Sequence, residues 1–220
     1  EFYYSLRSNI LTQLKRKRGA VLVFGSAGKA EGKTLTSINF ALACVRSGMK
    51  TMVIDADIRR PWMHHVLGVG RDPGLSDVLA GKMDWREAAR DSAAILAEGI
   101  SFPELRIFQG IGNLHALSCG SPHSDVTNLM DSADWPALMD DWRSEFDIVI
   151  LDVPPVLSFM DSGIMSRHAD GVVFVYKAGK MGRDTLKRAK EQILCVNARI
   201  LGVILNSVRP SGMGSYYNYY

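Results

Sequence analysis

The sequence predicts an α/β fold in which helices cover both faces of a central, mostly parallel sheet. Short apolar runs alternate along the chain with patterns of helical period. These runs are apolar throughout rather than at every second residue, which is typical of strands buried on both faces. The 220 residues, 47% of them hydrophobic, suffice for one such domain with a full core.

The elements are predicted in a regular order. The first strand covers Ala20–Gly25, and a helix follows at 33–47, with Gly48 in the position that usually ends a helix. One side of that helix is apolar and consists of Leu35, Ile38, Ala41, Leu42 and Val45. Further strands are predicted at 51–56, 105–109, 148–151, 172–176 and 200–205. Helices are predicted at 137–144, 160–168 and 183–196, and a helix with a loop at 81–102. Right-handed crossovers bring the carboxyl ends of parallel strands to one edge, where ligands bind.

Composition and charge argue against several classes of protein. The net charge is only +3, which makes no case for a nucleic-acid partner. One basic run, at 15–18, is expected to be a solvated helix end rather than a phosphate or lipid contact. The three cysteines have no short spacing, which argues against a zinc site and fits a reducing compartment. No stretch approaches the roughly 18 apolar residues of a membrane span. The chain begins inside a helical pattern, so we expect a piece of a longer protein.

A glycine-rich turn after the first strand carries the strongest chemical signal. Its sequence, GSAGKAEGKT at 25–34, is close to the phosphate-binding pattern G-x-x-x-x-G-K-[ST], with Ala27 replacing the first glycine. Backbone N–H groups in such a loop can surround phosphate oxygens; here the loop residues are Gly28, Lys29, Ala30, Glu31 and Gly32. Lys33 is predicted to reach the β- and γ-phosphates, and the Thr34 hydroxyl to reach Mg²⁺. The alternative is a turn that only opens a helix.

Two other predicted strands end in acidic residues. Asp55 and Asp57 follow one strand within VIDADIRRP, and Asp152 ends another within DIVILDVPPV. Beside a Mg-nucleotide, one acid of the first pair can accept a proton from an attacking hydroxyl while the other serves the metal. Asp152 has the Walker B form, in which the carboxylate holds Mg²⁺ directly or through water. The alternative for the pair is two capping acids satisfied by Arg59 and Arg60.

The end of the chain adds two candidate features. Asn206 closes the last predicted strand, and its carboxamide could pair with both edges of adenine or could simply form a turn. Residues 1–210 are expected to form the domain, and 211–220 a flexible tail, since the tail has no pattern that could pack. The tail holds four of the seven tyrosines, predicted as phosphoacceptors: Tyr216, Tyr217, Tyr219 and Tyr220. A merely adhesive tail is the alternative.

Together these motifs resemble the bacterial tyrosine kinases (BY-kinases), the kinase domains of exopolysaccharide and capsule co-polymerases. The resemblance covers nearly the full chain. The loop at 26–34 is similar to the family's Walker A form, which ends E-G-K-[ST]. DADIRRP at 55–61 is similar to its Walker A′ motif, and DVPPV at 152–156 to its Walker B continuation. GLSDVLAG at 74–81, GVILN at 202–206 and the tyrosine cluster also fit.

The resemblance implies a P-loop NTPase-like fold and an ATP-dependent, non-specific protein-tyrosine autokinase that regulates polysaccharide synthesis or export. It implies that Lys33 binds phosphate and that Asp55 activates the tyrosine hydroxyl. Thr34, Asp57 and Asp152 would serve Mg²⁺.

Partners are implied in the same way. In this family, ring-like homo-oligomers place the tail of one subunit in the neighbour's site, using an N-terminal E-x-x-R-x-x-R-x-N motif. Glu1, Arg7 and Asn9 fit that motif, but Tyr4 stands at its first arginine, and Lys29 stands where the family usually has proline. A membrane segment or membrane-anchored activator and a protein-tyrosine phosphatase are also implied, with the domain at the cytoplasmic face of the bacterial inner membrane.

Two other functions compete with this interpretation. A ParA/MinD-type ATPase switch would share the sheet and a deviant loop, but that group has a signature lysine where this chain has Gly28. A catalytically silent ATP-binding scaffold is disfavoured because Lys33, Asp55, Asp57 and Asp152 are all retained.

Overall fold

The computed structural model describes residues 1–15, 18–98 and 112–208. Their strands form one seven-stranded sheet of order β3-β4-β2-β5-β1-β6-β7. The strands are β1 (Ala20–Gly25), β2 (Thr51–Asp55), β3 (Arg90–Asp91), β4 (Leu114–Leu117), β5 (Ile148–Asp152), β6 (Gly171–Lys177) and β7 (Ile200–Asn206). Every pair is parallel except β3 with β4 at one edge. The predicted mostly parallel sheet is therefore confirmed.

Helices cover both faces of the sheet and enclose two apolar cores. The described helices are α1 (Phe2–Gln13), α2 (Lys33–Val45), α3 (Met63–Leu67), α4 (Leu75–Leu79), α5 (Trp85–Ala88), α6 (Ser92–Glu98), α7 (Val126–Ser132), α8 (Trp135–Glu145), α9 (Asp161–His168) and α10 (Arg183–Cys195). Alternation along β1 separates the cores: Leu22 and Phe24 join α1 and α2, whereas Val21 and Val23 join α8 and α10. None of these helices is long and apolar enough to cross a membrane.

Long apolar runs were the most predictable elements. The strands β1, β2, β5, β6 and β7 lie within one or two residues of their predicted bounds. β3 and β4 were not predicted, and the strand predicted at 105–109 lies outside the described residues. Leu35 corrects the predicted apolar side of α2: it is 43% exposed, because it lines a surface cavity at the start of the helix, whereas the other four residues are buried.

The N-terminal helix lies against α2 of the same chain. Arg7 donates from Nη1 to the Ala43 carbonyl at 3.1 Å, and Arg46 donates from Nη1 to the Tyr4 hydroxyl at 3.3 Å. Tyr4, at the position of a motif arginine, is thus engaged with its own chain and is 39% exposed.

Candidate functional site

The predicted site residues come from segments that meet at the carboxyl edge of the sheet. Asp55 ends β2 directly opposite Asp152 of β5, and Phe24, near the end of β1, is the other neighbour of Asp152. The loop 26–32 leaves β1 here and leads into α2. Sheet topology therefore brings together three motifs that are far apart in sequence.

A cavity of about 460 Å³ opens over this edge. Its lining contains every loop residue predicted to contact phosphate or Mg²⁺, together with Ser26 of the same loop, Asp57 and four residues with no predicted ligand contact. The predicted residues are Gly28, Lys29, Ala30, Glu31, Gly32, Lys33 and Thr34; the four others are Leu35, Arg60, Trp62 and Pro155. Asp55 and Asp152 lie behind this lining and are 0% and 1% exposed.

The loop depends on backbone conformations that favour glycine. Gly32, immediately before α2, has φ of 90°, and Ala30 has φ of 53°. A Cβ on Gly32 would lie 2.0 Å from Asn206 Nδ2. Gly32 is therefore required both by its dihedral angle and by the close approach of β7.

Glu31 holds the loop through its side chain, a role that the sequence did not suggest. Its buried carboxylate accepts from the Gly28 N–H at 2.5 Å and from the Lys177 N–H, at the end of β6, at 3.1 Å. The first bond means that the Gly28 N–H is already engaged within the loop. The carboxylate thus bridges the loop to the neighbouring strand.

Asn206, the last residue of β7, also binds the phosphate loop. Its Nδ2 donates to the Glu31 carbonyl at 2.9 Å, and its Oδ1 accepts from the Ser207 N–H at 2.8 Å. The structure therefore gives Asn206 a loop-anchoring contact. A contact to adenine, which remains a prediction, would have to use the second amide hydrogen and the second lone pair.

One ammonium group lies among three buried carboxylates. Lys33 Nζ forms an ion pair with Asp152 Oδ1 at 2.6 Å, and their side chains are 9% and 1% exposed. Burial, reinforced by the charge of Asp152, raises the pKa of Asp55 to about 7. Burial also raises the pKa of Asp57 to about 6, although Lys33 counteracts the increase. Three ionised carboxylates buried together would repel one another, so the cluster favours binding of an added cation.

Asp55 is held firmly by backbone N–H groups. Its Oδ2 accepts from Trp62 at 3.2 Å and Met63 at 3.1 Å at the start of α3, and its Oδ1 accepts from Asp57 at 3.3 Å. Asp57 in turn accepts from the Arg60 N–H at 3.1 Å. The pair therefore does cap local backbone.

The arginines that follow do not neutralise this pair. The Arg59 guanidinium instead binds Asp161 at 2.8 Å and Thr127 at 2.8 Å, so it connects this loop to α9 and α7. Arg60 lines the cavity, and only its backbone N–H contacts Asp57. Neither arginine side chain hydrogen-bonds to Asp55 or Asp57, so the alternative in which Arg59 and Arg60 satisfy both acids through their side chains is wrong.

The chemistry of these donors fits Mg²⁺ with a nucleotide better than a metal held by protein alone. Within the described segments, no group of three or more His, Cys, Asp or Glu side chains is arranged to hold a metal ion. Mg²⁺ usually needs only one or two carboxylates, with waters and substrate phosphates as its other ligands. Asp57 and Thr34 line the cavity, and Asp152 would become available once Lys33 moves to a phosphate.

Two groups near the loop were missed by sequence reasoning. Trp62 lines the cavity, is 60% exposed and packs against His65, with ring centroids 4.8 Å apart and the ring planes tilted by 55°. The segment after β6 covers the loop from the other side: Lys180 donates to the Lys29 carbonyl, and a Cβ on Gly28 would lie 2.6 Å from Met181 Sδ. The only sequence signal for either group was the position of Trp62 directly after the DADIRRP motif.

The four predicted phosphoacceptors, Tyr216, Tyr217, Tyr219 and Tyr220, lie outside the described residues. So do residues 16 and 17 of the basic run. The roles assigned to the tail therefore remain predictions.

Comparison with known proteins identifies a nucleotide-binding domain and kinase relatives. Residues 22–218 match the CobQ/CobB/MinD/ParA nucleotide binding domain. The tyrosine-protein kinase CpsD of Streptococcus agalactiae is 30% identical over 222 residues, covering 100% of this chain and 89% of that protein. CpsD of Streptococcus pneumoniae serotype 4 is 32% identical over 212 residues, covering 94% and 84%.

A solved structure supports the same fold. The kinase domain of the Escherichia coli tyrosine kinase ETK superposes with a TM-score of 0.83 at 22% identity, covering 99% of this chain and 79% of that one. The relatives named tyrosine-protein kinases favour a kinase over a ParA/MinD-type switch. The chain belongs to the CobQ/CobB/MinD/ParA nucleotide-binding family and, within it, to the bacterial tyrosine kinases.

Proposed function

We propose that this domain uses ATP and Mg²⁺ to phosphorylate tyrosines in its own C-terminal segment, and so regulates exopolysaccharide or capsule synthesis or export. The observation that carries the proposal is the buried Lys33 ammonium among Asp55, Asp57 and Asp152, beside a cavity lined by the phosphate loop. The named activity of the curated relatives supports the reaction class.

The reaction needs a cation for phosphate, a metal ligand set and a base. In the proposed mechanism Lys33 leaves Asp152 and binds the β- and γ-phosphates, while Thr34, Asp57 and Asp152 would hold Mg²⁺, which would supply positive charge against the phosphates. Asp55 accepts the phenol proton as the tyrosine oxygen bonds to the γ-phosphorus, and the bond from that phosphorus to the β-phosphate oxygen breaks to release ADP. In the metal-free chain, burial and the charge of Asp152 raise the pKa of Asp55 to about 7, so its carboxyl group can take up a proton near neutral pH.

The acceptors are proposed to be Tyr216, Tyr217, Tyr219 and Tyr220, presented by a neighbouring subunit of a homo-oligomer. A membrane segment or membrane-anchored activator and a protein-tyrosine phosphatase complete the proposed partners, at the cytoplasmic face of the bacterial inner membrane. These finer points rest on the family resemblance.

A mixing experiment tests both the reaction and its direction. A Lys33→Met protein with an intact tail is incubated with ATP, Mg²⁺ and an active protein whose four tail tyrosines are Phe. We expect phosphotyrosine on the Lys33→Met chains. If wild type modifies itself but these chains stay unmodified, transfer between subunits is wrong.

The same assay separates the competing functions. Wild type that hydrolyses ATP without forming phosphotyrosine would indicate an ATPase switch. Wild type that binds ATP without either reaction would indicate a scaffold.

A further inference from the structure

A second groove, which shares no lining residue with the cavity at the phosphate loop, lies between α10 and the edge strand β7. Its volume is about 440 Å³. An apolar and aromatic floor is bordered by three cationic side chains on one side of α10. The floor comprises Phe174, Tyr176, Leu186, Ile200, Val203 and Leu205, and the cations are Arg183, Lys187 and Lys190.

Neither part of the groove has a partner in the part of the chain that the structure describes. Val203 and Leu205 are 47% and 57% exposed, and β7 pairs only with β6 among described strands. No described residue forms an ion pair with Arg183, Lys187 or Lys190. The acids of α10, Asp184 and Glu191, do not line the groove.

An apolar floor bordered by cations suits a phosphorylated aromatic side chain. A phosphotyrosine presents an apolar ring and, at its tip, a charge of about −1.5 to −2 with strong acceptor oxygens. Arginine and lysine bind such oxygens through charge-assisted hydrogen bonds, and aromatic floors bind the ring. An unmodified tyrosine would leave the three cations without a counter-charge.

The C-terminal segment is the occupant that chain connectivity favours. Leu205 lines the groove, and Val208 is the last described residue before the tail. Eight further residues lead to Tyr216, and extended chain spans at most about 3.3–3.6 Å per residue, so the reach is up to about 29 Å. Residues 183–190 of α10 span only about 10 Å at the helical rise. A short tether also gives an effective concentration of roughly millimolar, which favours the same chain over a second copy.

The charge of the tail makes its capture depend on modification. Residues 211–220 contain no Asp, Glu, Lys or Arg. Each phosphorylation therefore supplies the charge that the cations lack.

We propose that this groove binds the phosphorylated tail of its own chain, with one phosphotyrosine ring on the apolar floor and its phosphate between Arg183, Lys187 and Lys190. The proposal rests on the proposed kinase function for the source of the phosphate. It assigns the kinase a product-binding site that withdraws a modified tail from neighbouring subunits.

A synthetic peptide separates this site from the kinase reaction. A fluorescein-labelled peptide of residues 211–220, phosphorylated on its four tyrosines, is titrated into the full chain whose own tail tyrosines are Phe. We expect saturable binding by anisotropy, at least tenfold weaker with Lys187→Ala/Lys190→Ala and unchanged with the matched control Arg188→Ala/Arg199→Ala, whose residues are exposed outside the groove. Equal binding of the unphosphorylated peptide, or equal loss in both double variants, would overturn the proposal. Displacement by Mg²⁺ with a non-hydrolysable ATP analogue would assign the peptide to the kinase site and overturn it as well.

A second titration tests occupancy by the same chain. Phosphorylated wild type, diluted below the concentration at which it associates, should bind the labelled peptide at least tenfold more weakly than the Phe-tail protein. Equal affinity would contradict capture within one chain. Failure of the wild type to phosphorylate itself would contradict only the proposed function, because the peptide titration needs no kinase activity.

Discussion

The ion pair between Lys33 and Asp152 makes a stability prediction that does not depend on activity. Lys33→Met removes the ammonium and leaves Asp55, Asp57 and Asp152 buried without their cation. Breaking one side of a buried ion pair typically costs about 3–5 kcal/mol. For a domain of this size each kcal/mol lowers the Tm by about 2–4 °C, so the expected decrease is about 6–20 °C.

The decrease in Tm caused by Lys33→Met should be larger at high pH than at low pH. The folded chain keeps protons on Asp55 and Asp57 up to pKa values of about 7 and about 6, whereas the unfolded chain loses them near pH 4. Stability from these groups is therefore present at low pH and falls as pH rises through that window. Lys33 lowers both pKa values. Its removal should therefore cost little at pH 5 and most at pH 8.

The decrease in Tm caused by Lys33→Met is measured at the lower and the higher pH by thermal unfolding, followed by circular dichroism without Mg²⁺ or nucleotide. Lys29→Met is the matched control, since Lys29 is an exposed cation of the same loop whose side chain pairs with no described residue. Equal midpoints for the two variants at pH 8 would refute the stabilising role of the ion pair.

Three other substitutions give separate expectations. Asp55→Asn should retain ATP binding by calorimetry but slow phosphotyrosine formation by about 10²–10⁴-fold, as loss of a general base does; a wild-type rate would place the base elsewhere. Glu31→Gln should weaken ATP binding, because a neutral amide accepts less strongly from Gly28 and Lys177; an unchanged dissociation constant would show that the bridge is dispensable. Asn206→Ala should weaken ATP and GTP binding equally if the residue only anchors the loop; selective loss of ATP would instead indicate adenine recognition.

The sequence predicted the sheet where its pattern reflected burial. β5 and β1 are apolar along their length because both faces are covered, and such runs are recognisable. β4 was missed because its short LHAL segment contains a histidine, and β3 because two antiparallel residues carry no period.

In the candidate site, too, some features follow from sequence patterns and others only from packing. Asp55 and Asp152 were predictable because parallel topology alone brings strand ends together. The ion pair of Lys33 with Asp152 joins residues 119 apart and depends on side-chain conformations that no motif encodes. The exposure of Trp62 and the bridge made by Glu31 likewise depend on tertiary packing, which the sequence pattern does not reveal.

The contact between Asn206 and the Glu31 carbonyl has a mechanical consequence. Asn206 is the last residue of β7, and the chain continues from it through Ser207 and Val208 towards the tail. A force that pulled on the chain beyond Val208 would therefore reach, at the end of β7, a residue that is hydrogen-bonded to the phosphate loop. Through this single bond, tension in the C-terminal segment would shift the loop that lines the cavity.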